Sequence, residues 1–219
     1  MNKLIFILII GIILSGCYQD KLALNSSEKN EEHIYPFRSA ILKYVFEDRG
    51  TQGNREIYID DWGTFYAEHV SRELRNDDLV EEIIIRRGSD VYTLDFDKNV
   101  FVKSIENNPH NESIDLKKLS KIHGGTEKTL EWLDSQGIHL LGNERFLDYE
   151  CQILQKKQGP LVCKKWIYKG VPLKIVEYLD PYIHGVRDET VTDFRFDISV
   201  DPNHFKLPEG IEIVDSVKK

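Results

Sequence analysis

The residues able to do chemistry are few and scattered. Three cysteines (Cys17, Cys151 and Cys163) and seven histidines are all that the chain offers for soft-metal or thiol chemistry. A dithiol redox centre would use C-x-x-C beside an electropositive helix start, and a zinc site would use C-x-x-C or H-E-x-x-H. None of these spacings occurs, and His33, His69, His110, His123, His139, His184 and His204 stand far apart. Asp60-Asp61 and Asp77-Asp78 are adjacent carboxylates. Neighbouring strand or turn residues point apart, so these pairs read as turn chemistry and not as the acid and base of a hydrolase. Gly124-Gly125-Thr126-Glu127-Lys128-Thr129 has the composition of a phosphate loop, but the spacing is wrong and no buried strand leads into it. The sequence predicts no catalytic residue, no metal site, no cofactor and no enzyme.

The remaining chemistry is that of the thiols themselves. Lys3 is followed by an unbroken apolar run from Leu4 to Leu14, then by Ser15-Gly16-Cys17. A short basic start, a short apolar core and small residues form the anatomy of a secretory signal, and the run is too short for a comfortable membrane span. Its ending resembles the lipobox of bacterial lipoproteins, which implies cleavage after residue 16 and a diacylglyceryl group on Cys17. A single acyl chain holds only marginally at about 0.8 kcal/mol per methylene, so two or more chains are what stable anchoring needs. Tyr18 follows, where an aspartate would resemble an inner-membrane retention signal. The implied address is the cell envelope, on the periplasmic face of the outer membrane if the source has two membranes.

With Cys17 assigned, an exported chain keeps an even pair, Cys151 and Cys163. A disulfide between them is expected, the alternative being two reduced, buried thiols. They stand near mirror positions about a turn at Gly159-Pro160, so a cross-strand bridge is reasonable if the register agrees.

The formal net charge of -8 argues against a nucleic-acid partner and against a polybasic membrane patch. Length allows one domain with a proper core. Residues 17–36 are polar without a sustained period and read as a tether with a reach of about 25 Å. The domain is expected over 37–219. Asn25-Ser26-Ser27 and Asn111-Glu112-Ser113 match glycosylation sequons by coincidence in a bacterial chain.

From Phe37 the pattern has period two. Ala40, Leu42, Tyr44 and Phe46 lie on one face, with polar residues on the other. Strands are predicted over 37–47, 55–60, 64–72, 80–87, 91–96 and 100–105, with 48–54 as a loop and turns at Asp61-Trp62-Gly63 and Gly88-Ser89. Two short helices follow, one capped at Ser113 and carrying Leu116, Leu119 and Ile122, the other starting at Thr126. Strands resume over 138–200 with turns at Gly159-Pro160 and Lys169-Gly170, and residues 211–214 add a last short one. This is a mainly β (α+β) antiparallel meander.

Leu141-Gly142-Asn143-Glu144-Arg145-Phe146-Leu147-Asp148-Tyr149-Glu150-Cys151 is similar to a G-x-E-x-x-x-G-Y-x-C stretch of bacterial exported proteins with a LolA/LolB-like fold. Residues 163–174 resemble their W-x-Y-K-G-I-P-L-K signature, and 205–211 resembles their closing F-x-L-P-x-G. Asp148 departs from the glycine more usual there. The resemblance implies a strongly curved antiparallel sheet, an incomplete barrel with two short helices across its concave face. In LolA and LolB that concavity holds acyl chains. The expected function is therefore binding of an apolar ligand, a lipid or acyl chain, with Tyr44, Phe46, Phe65, Phe194 and Phe196 lining the hollow. The competing expectation is an envelope interaction module whose core is fully packed.

Overall fold

The computed structural model describes residues 33–74, 78–106, 116–180 and 184–216. Its strands are β1 (Ala40–Asp48), β2 (Thr51–Asp60), β3 (Phe65–Glu73), β4 (Leu79–Arg87), β5 (Asp90–Asp95) and β6 (Val100–Ile105), then β7 (Ile138–Phe146), β8 (Tyr149–Gln158), β9 (Leu161–Tyr168), β10 (Val171–Leu179), β11 (His184–Phe196) and β12 (Glu212–Asp215). Between β6 and β7 lie α1 (Leu116–His123) and α2 (Thr126–Ser135). The strands form one open sheet in the order β12-β6-β5-β4-β3-β2-β1-β11-β10-β9-β8-β7. Pairing is antiparallel except for β12, which runs parallel to β6. The mainly β class with two helices, curved but not closed, is the architecture the sequence predicts.

Ring contacts reveal the curvature. Tyr149 of β8 and Phe194 of β11 have ring centroids 4.7 Å apart although two strands separate them. In a flat sheet those strands would be about 14 Å apart, at three strand spacings. The face carrying these rings is therefore concave, and the principal apolar cluster fills it. Leu42, Tyr44, Ile57, Ile59, Tyr66, Cys151, Trp166, Leu173 and Val191 are buried there. A second cluster on the outer face packs Tyr58, Ala67 and Ile85 under Val200 and Phe205. The latter two belong to a strap that leaves β11, crosses the outer face and ends in β12. Arg87 fixes the strap by donating from Nε and Nη2 to the Phe205 carbonyl at 2.9 and 2.6 Å. The helices stack His123 on Trp132 at 4.5 Å, and α2 buries Thr129 and Leu133 beside β7.

Four local expectations are corrected. The stretch 48–54 is not a loop: Arg49-Gly50 alone makes the turn, and β2 begins at Thr51. Gly53 is there because the Phe46 ring lies over it. A Cβ at that position would stand 2.4 Å from Phe46 Cζ and 2.3 Å from the Ser71 carbonyl oxygen. Packing also starts before Phe37. Ile34 and Tyr35 are buried, and their amides both donate to the Trp62 carbonyl. Gly63 leaves room for them, since a Cβ would stand 2.8 Å from each side chain. At the other end, β11 stops at Phe196, because Asp197 takes φ 53° and accepts a hydrogen bond from the Arg38 amide at 2.9 Å. The last strand, expected over 211–214, occupies 212–215. Cys17, the segment before it, Ser113 and both sequons lie outside the described residues.

The β7–β8 turn tests the departure at Asp148. Phe146 pairs with Tyr149, so Leu147 and Asp148 alone turn the chain, at φ 46° and 66°. Two residues of positive φ make the type I′ hairpin turn that Asn-Gly usually fills. Asp148→Gly is expected to raise stability by about 0.5–1 kcal/mol, read as a higher urea midpoint at unchanged slope. A lower midpoint would show that the Asp148 side chain matters more than the strain.

Candidate functional site

Four of the five residues expected to line a hollow lie on the concave face, Tyr44 within the apolar cluster, Phe194 and Phe196 partly buried against it, and Phe46 beside Gly53. Tyr44 and Phe46 are buried. Phe194 and Phe196 touch each other at 5.4 Å, and Phe196 also meets Phe37 at 4.8 Å. Tyr168 joins both, and the Tyr44 hydroxyl reaches across to donate to the Pro172 carbonyl at 2.9 Å. Phe65 is elsewhere. It pairs with Asp60 on the outer face and tilts against Phe205 at 5.8 Å, while Tyr66 takes the inward position.

Below that aromatic floor the concave face becomes charged. Glu189, on β11, is fully buried. Arg55 reaches it from β2, Nη1 to Oε1 at 2.9 Å, and turns its Nε toward Glu68 Oε1 of β3 at 2.7 Å. Arg187 binds the other Glu189 oxygen. The Arg55 guanidinium lies over the Tyr44 ring at 5.4 Å, and Tyr66 donates its hydroxyl to Glu68 at 2.5 Å. Burial alone would raise the Glu189 pKa; the two guanidiniums overcome that and hold it below the usual carboxylate range. Burial also pushes the Tyr44 phenol well up, against the pull of Arg55. Sequence reading missed this network. Its signal was present in phase: Arg55, Ile57 and Ile59 alternate on one face, as Glu189 and Val191 do.

The expected disulfide is absent. Cys151 and Cys163 are free. Cys163 stands across from Lys156, and Gln152 across from Ile167. Cys151 is therefore five residues from the partner of Cys163, about 17 Å along the strand and on the opposite face. Burial raises both thiols, Cys163 to about 11, so they stay protonated and poorly nucleophilic. Among the described residues no cluster of His, Cys, Asp or Glu could hold a metal ion.

An open cavity of about 430 Å³ is on the outer face between the strap and strands β3 and β4. His69, Ile83, Ile85, His204 and Leu207 are among its lining residues. His204 stacks on Tyr58 at 3.6 Å, and His69 meets the edge of that ring at 6.0 Å. His69 Nε2 is buried without a hydrogen-bond partner among the described residues. A second cavity of about 400 Å³ is polar, lined by Asn143, Glu144, Arg145, Asp148 and Glu150.

These features define a mainly β protein whose open sheet curls over an aromatic core and a buried ion network. No protein-family model matches the chain, and no curated protein does. Solved structures do. An uncharacterized conserved protein from Thermus thermophilus is 12% identical with a TM-score of 0.52, covering 83% of this chain and 92% of that one. The MucA/MucB complex of Pseudomonas aeruginosa gives 13% identity and a TM-score of 0.49 over 80% of this chain and 58% of that one. A LolA superfamily protein from Nitrosomonas europaea gives 8% and 0.36 over 79% and 92%. This chain thus spans less than two thirds of the matched chain in the Pseudomonas complex. The likeness to the Thermus protein is one of fold.

The charged groups make two expectations measurable. Glu189→Gln leaves Arg187 without its anion and Arg55 with Glu68 alone, and is expected to cost about 3 kcal/mol in urea unfolding. A loss under about 1 kcal/mol would mean that water or another acid compensates. The second concerns His69, whose pKa is lowered first by burial and then by His204, against the opposing charges of Glu56, Glu81 and Glu68. The folded state then binds fewer protons than the unfolded one. Stability should drop as pH falls through the ordinary imidazole range toward the lowered folded value. His69→Gln should flatten that part of the profile relative to the native chain; parallel profiles would remove His69 as the cause.

Proposed function

We propose that this chain is a lipid-anchored, non-enzymatic protein of the cell envelope that acts by binding another protein. The observation that carries this reading is the filled concave face. Phe37, Tyr44, Phe194, Phe196 and Tyr168 place side chains where an acyl chain would lie, and Arg55, Glu68 and Glu189 add an ion network to that face. An ion network beside the rings is a poor neighbour for an apolar ligand. Acyl-chain carriage is thereby disfavoured, and the sheet's surface is left as the working part.

In this reading fatty chains on Cys17 hold the protein at the membrane, and the polar residues before His33 give it reach. Tyr18 favours the periplasmic face of an outer membrane where one is present. Cys17→Ala should move the full chain from the membrane to the soluble fraction or stall its processing. Unchanged membrane retention would refute the anchor. Native mass spectrometry of that soluble variant tests the rest: the expected result is protein without stoichiometric lipid. Lipid that copurifies one to one from membrane-derived preparations would restore the carrier.

A further inference from the structure

We propose that the open margin of β7 takes an extended segment of a partner protein as an added strand, with a Lys or Arg of that segment placed against Glu144. The inference rests on the protein-binding reading above and gives it a surface and a mode.

β7 closes the strand order, so one side of it has no neighbouring strand. Its nine residues run about 30 Å at 3.3–3.4 Å per residue. The opposite margin, β12, has only four residues, and so short an edge offers little to pair with. The turn at Leu147-Asp148 fixes which backbone groups of β7 are free. Across a two-residue hairpin the flanking pair, Phe146 and Tyr149, exchanges both N–H···O bonds, and bonded pairs alternate along the ladder. Glu144 and Phe146 therefore turn their backbone groups toward β8, whereas Asn143 and Arg145 turn theirs outward. Among the described residues no backbone group of another element meets them, and Asn143, Glu144 and Arg145 are exposed. Toward the start of the strand the Leu141 bulge, with Gly142 at φ 117°, interrupts the ladder. The receptive stretch is thus 143–146, where Asn143 and Arg145 each offer one donor and one acceptor.

Register and charge select the occupant. Pairing this stretch with its own copy about a two-fold axis can go three ways. Asn143 opposite Arg145 sets Glu144 against Glu144, and Arg145 opposite Arg145 sets two guanidiniums together. Asn143 opposite Asn143 runs Arg145 into the Leu141 bulge. A second copy is a poor occupant; a basic strand is a good one. Arg145 is held by Asp148 at 3.0 Å and Glu150 by Asn143 at 2.9 Å, but Glu144 has no hydrogen bond or ion pair among the described residues. The polar cavity of about 400 Å³ beside it carries the carboxylates of Glu144, Asp148 and Glu150 against the guanidinium of Arg145. A cationic side chain entering there meets a net negative site.

The test uses the full chain carrying Cys17→Ala and a labelled peptide of alternating Val and Lys, read by fluorescence anisotropy. Binding is expected, and the same peptide with Glu for Lys should not bind. Arg145→Pro removes an outward N–H without touching a β7–β8 bond, and should weaken binding at least about tenfold. Arg145→Ala keeps that N–H and removes a cation, so it should bind at least as tightly as the native residue. Glu144→Gln leaves the backbone unchanged and should weaken binding about threefold. Absence of binding, equal loss in Arg145→Pro and Arg145→Ala, or no loss in Glu144→Gln overturns the added strand. So does sedimentation as a dimer that Arg145→Pro dissociates, which would give the margin to a second copy. A photo-crosslinker at Val45 that captures one envelope protein, with none captured at Asn143, also overturns it while leaving the protein-binding reading standing.

Discussion

A carboxylate without contact to water, Glu189, sits where the two halves of the sheet are joined. Strands β1–β6 and β7–β11 meet only through the β1–β11 pairing within the strand order, and Phe46 is the residue opposite Glu189 there. An isolated buried carboxylate would be neutralised or expelled. Arg187 from its own strand and Arg55 from two strands away prevent this. Because Arg55 also engages Glu68, β11, β2 and β3 must keep one register for any of these groups to be satisfied. The network is therefore better understood as fixing alignment than as adding stability, since an apolar replacement of equal volume could serve stability as well.

That alignment positions the aromatic floor. Tyr44 lies between the two systems, with its ring under Arg55 and its hydroxyl on the Pro172 carbonyl. The hydroxyl bond crosses the concavity and so holds the curl that lets Tyr149 reach Phe194. The N-terminal entry is pinned by a different device. Trp62, at φ 54°, offers its carbonyl to the amides of Ile34 and Tyr35 and stacks on His33 at 4.3 Å.

Much of the fold was legible because it is local. Period-two alternation marked Ala40 to Phe46, and Gly159-Pro160 and Lys169-Gly170 marked their hairpins. What was illegible depends on partners distant in sequence. Gly53 looks like a loop residue until the ring of Phe46 is laid across it. Phe65 and Tyr66 are both aromatic on a strand with apolar residues on each side, so phase alone could not choose the inner one. Cys151 and Cys163 flank a turn in the sequence, but pairing counted from Gln158 and Leu161 sets them five residues out of step. The strap is short of periodic signal altogether. Its docking rests on Val200, Phe205 and His204, three side chains spaced irregularly along a non-repeating segment.

The parallel pairing of β12 with β6 bears on how the chain acquires its shape. Two strands more than a hundred positions apart in sequence must find one another, and the later one is made long after the earlier. Until it arrives, β6 keeps a row of unsatisfied amides and carbonyls along the sheet margin. Closing so long a loop is slow, and an unprotected margin invites pairing with other chains during that delay. Residues 212–215 thus act late, as a seal on the sheet, and loss of that short strand would matter more for solubility during maturation than for the finished core.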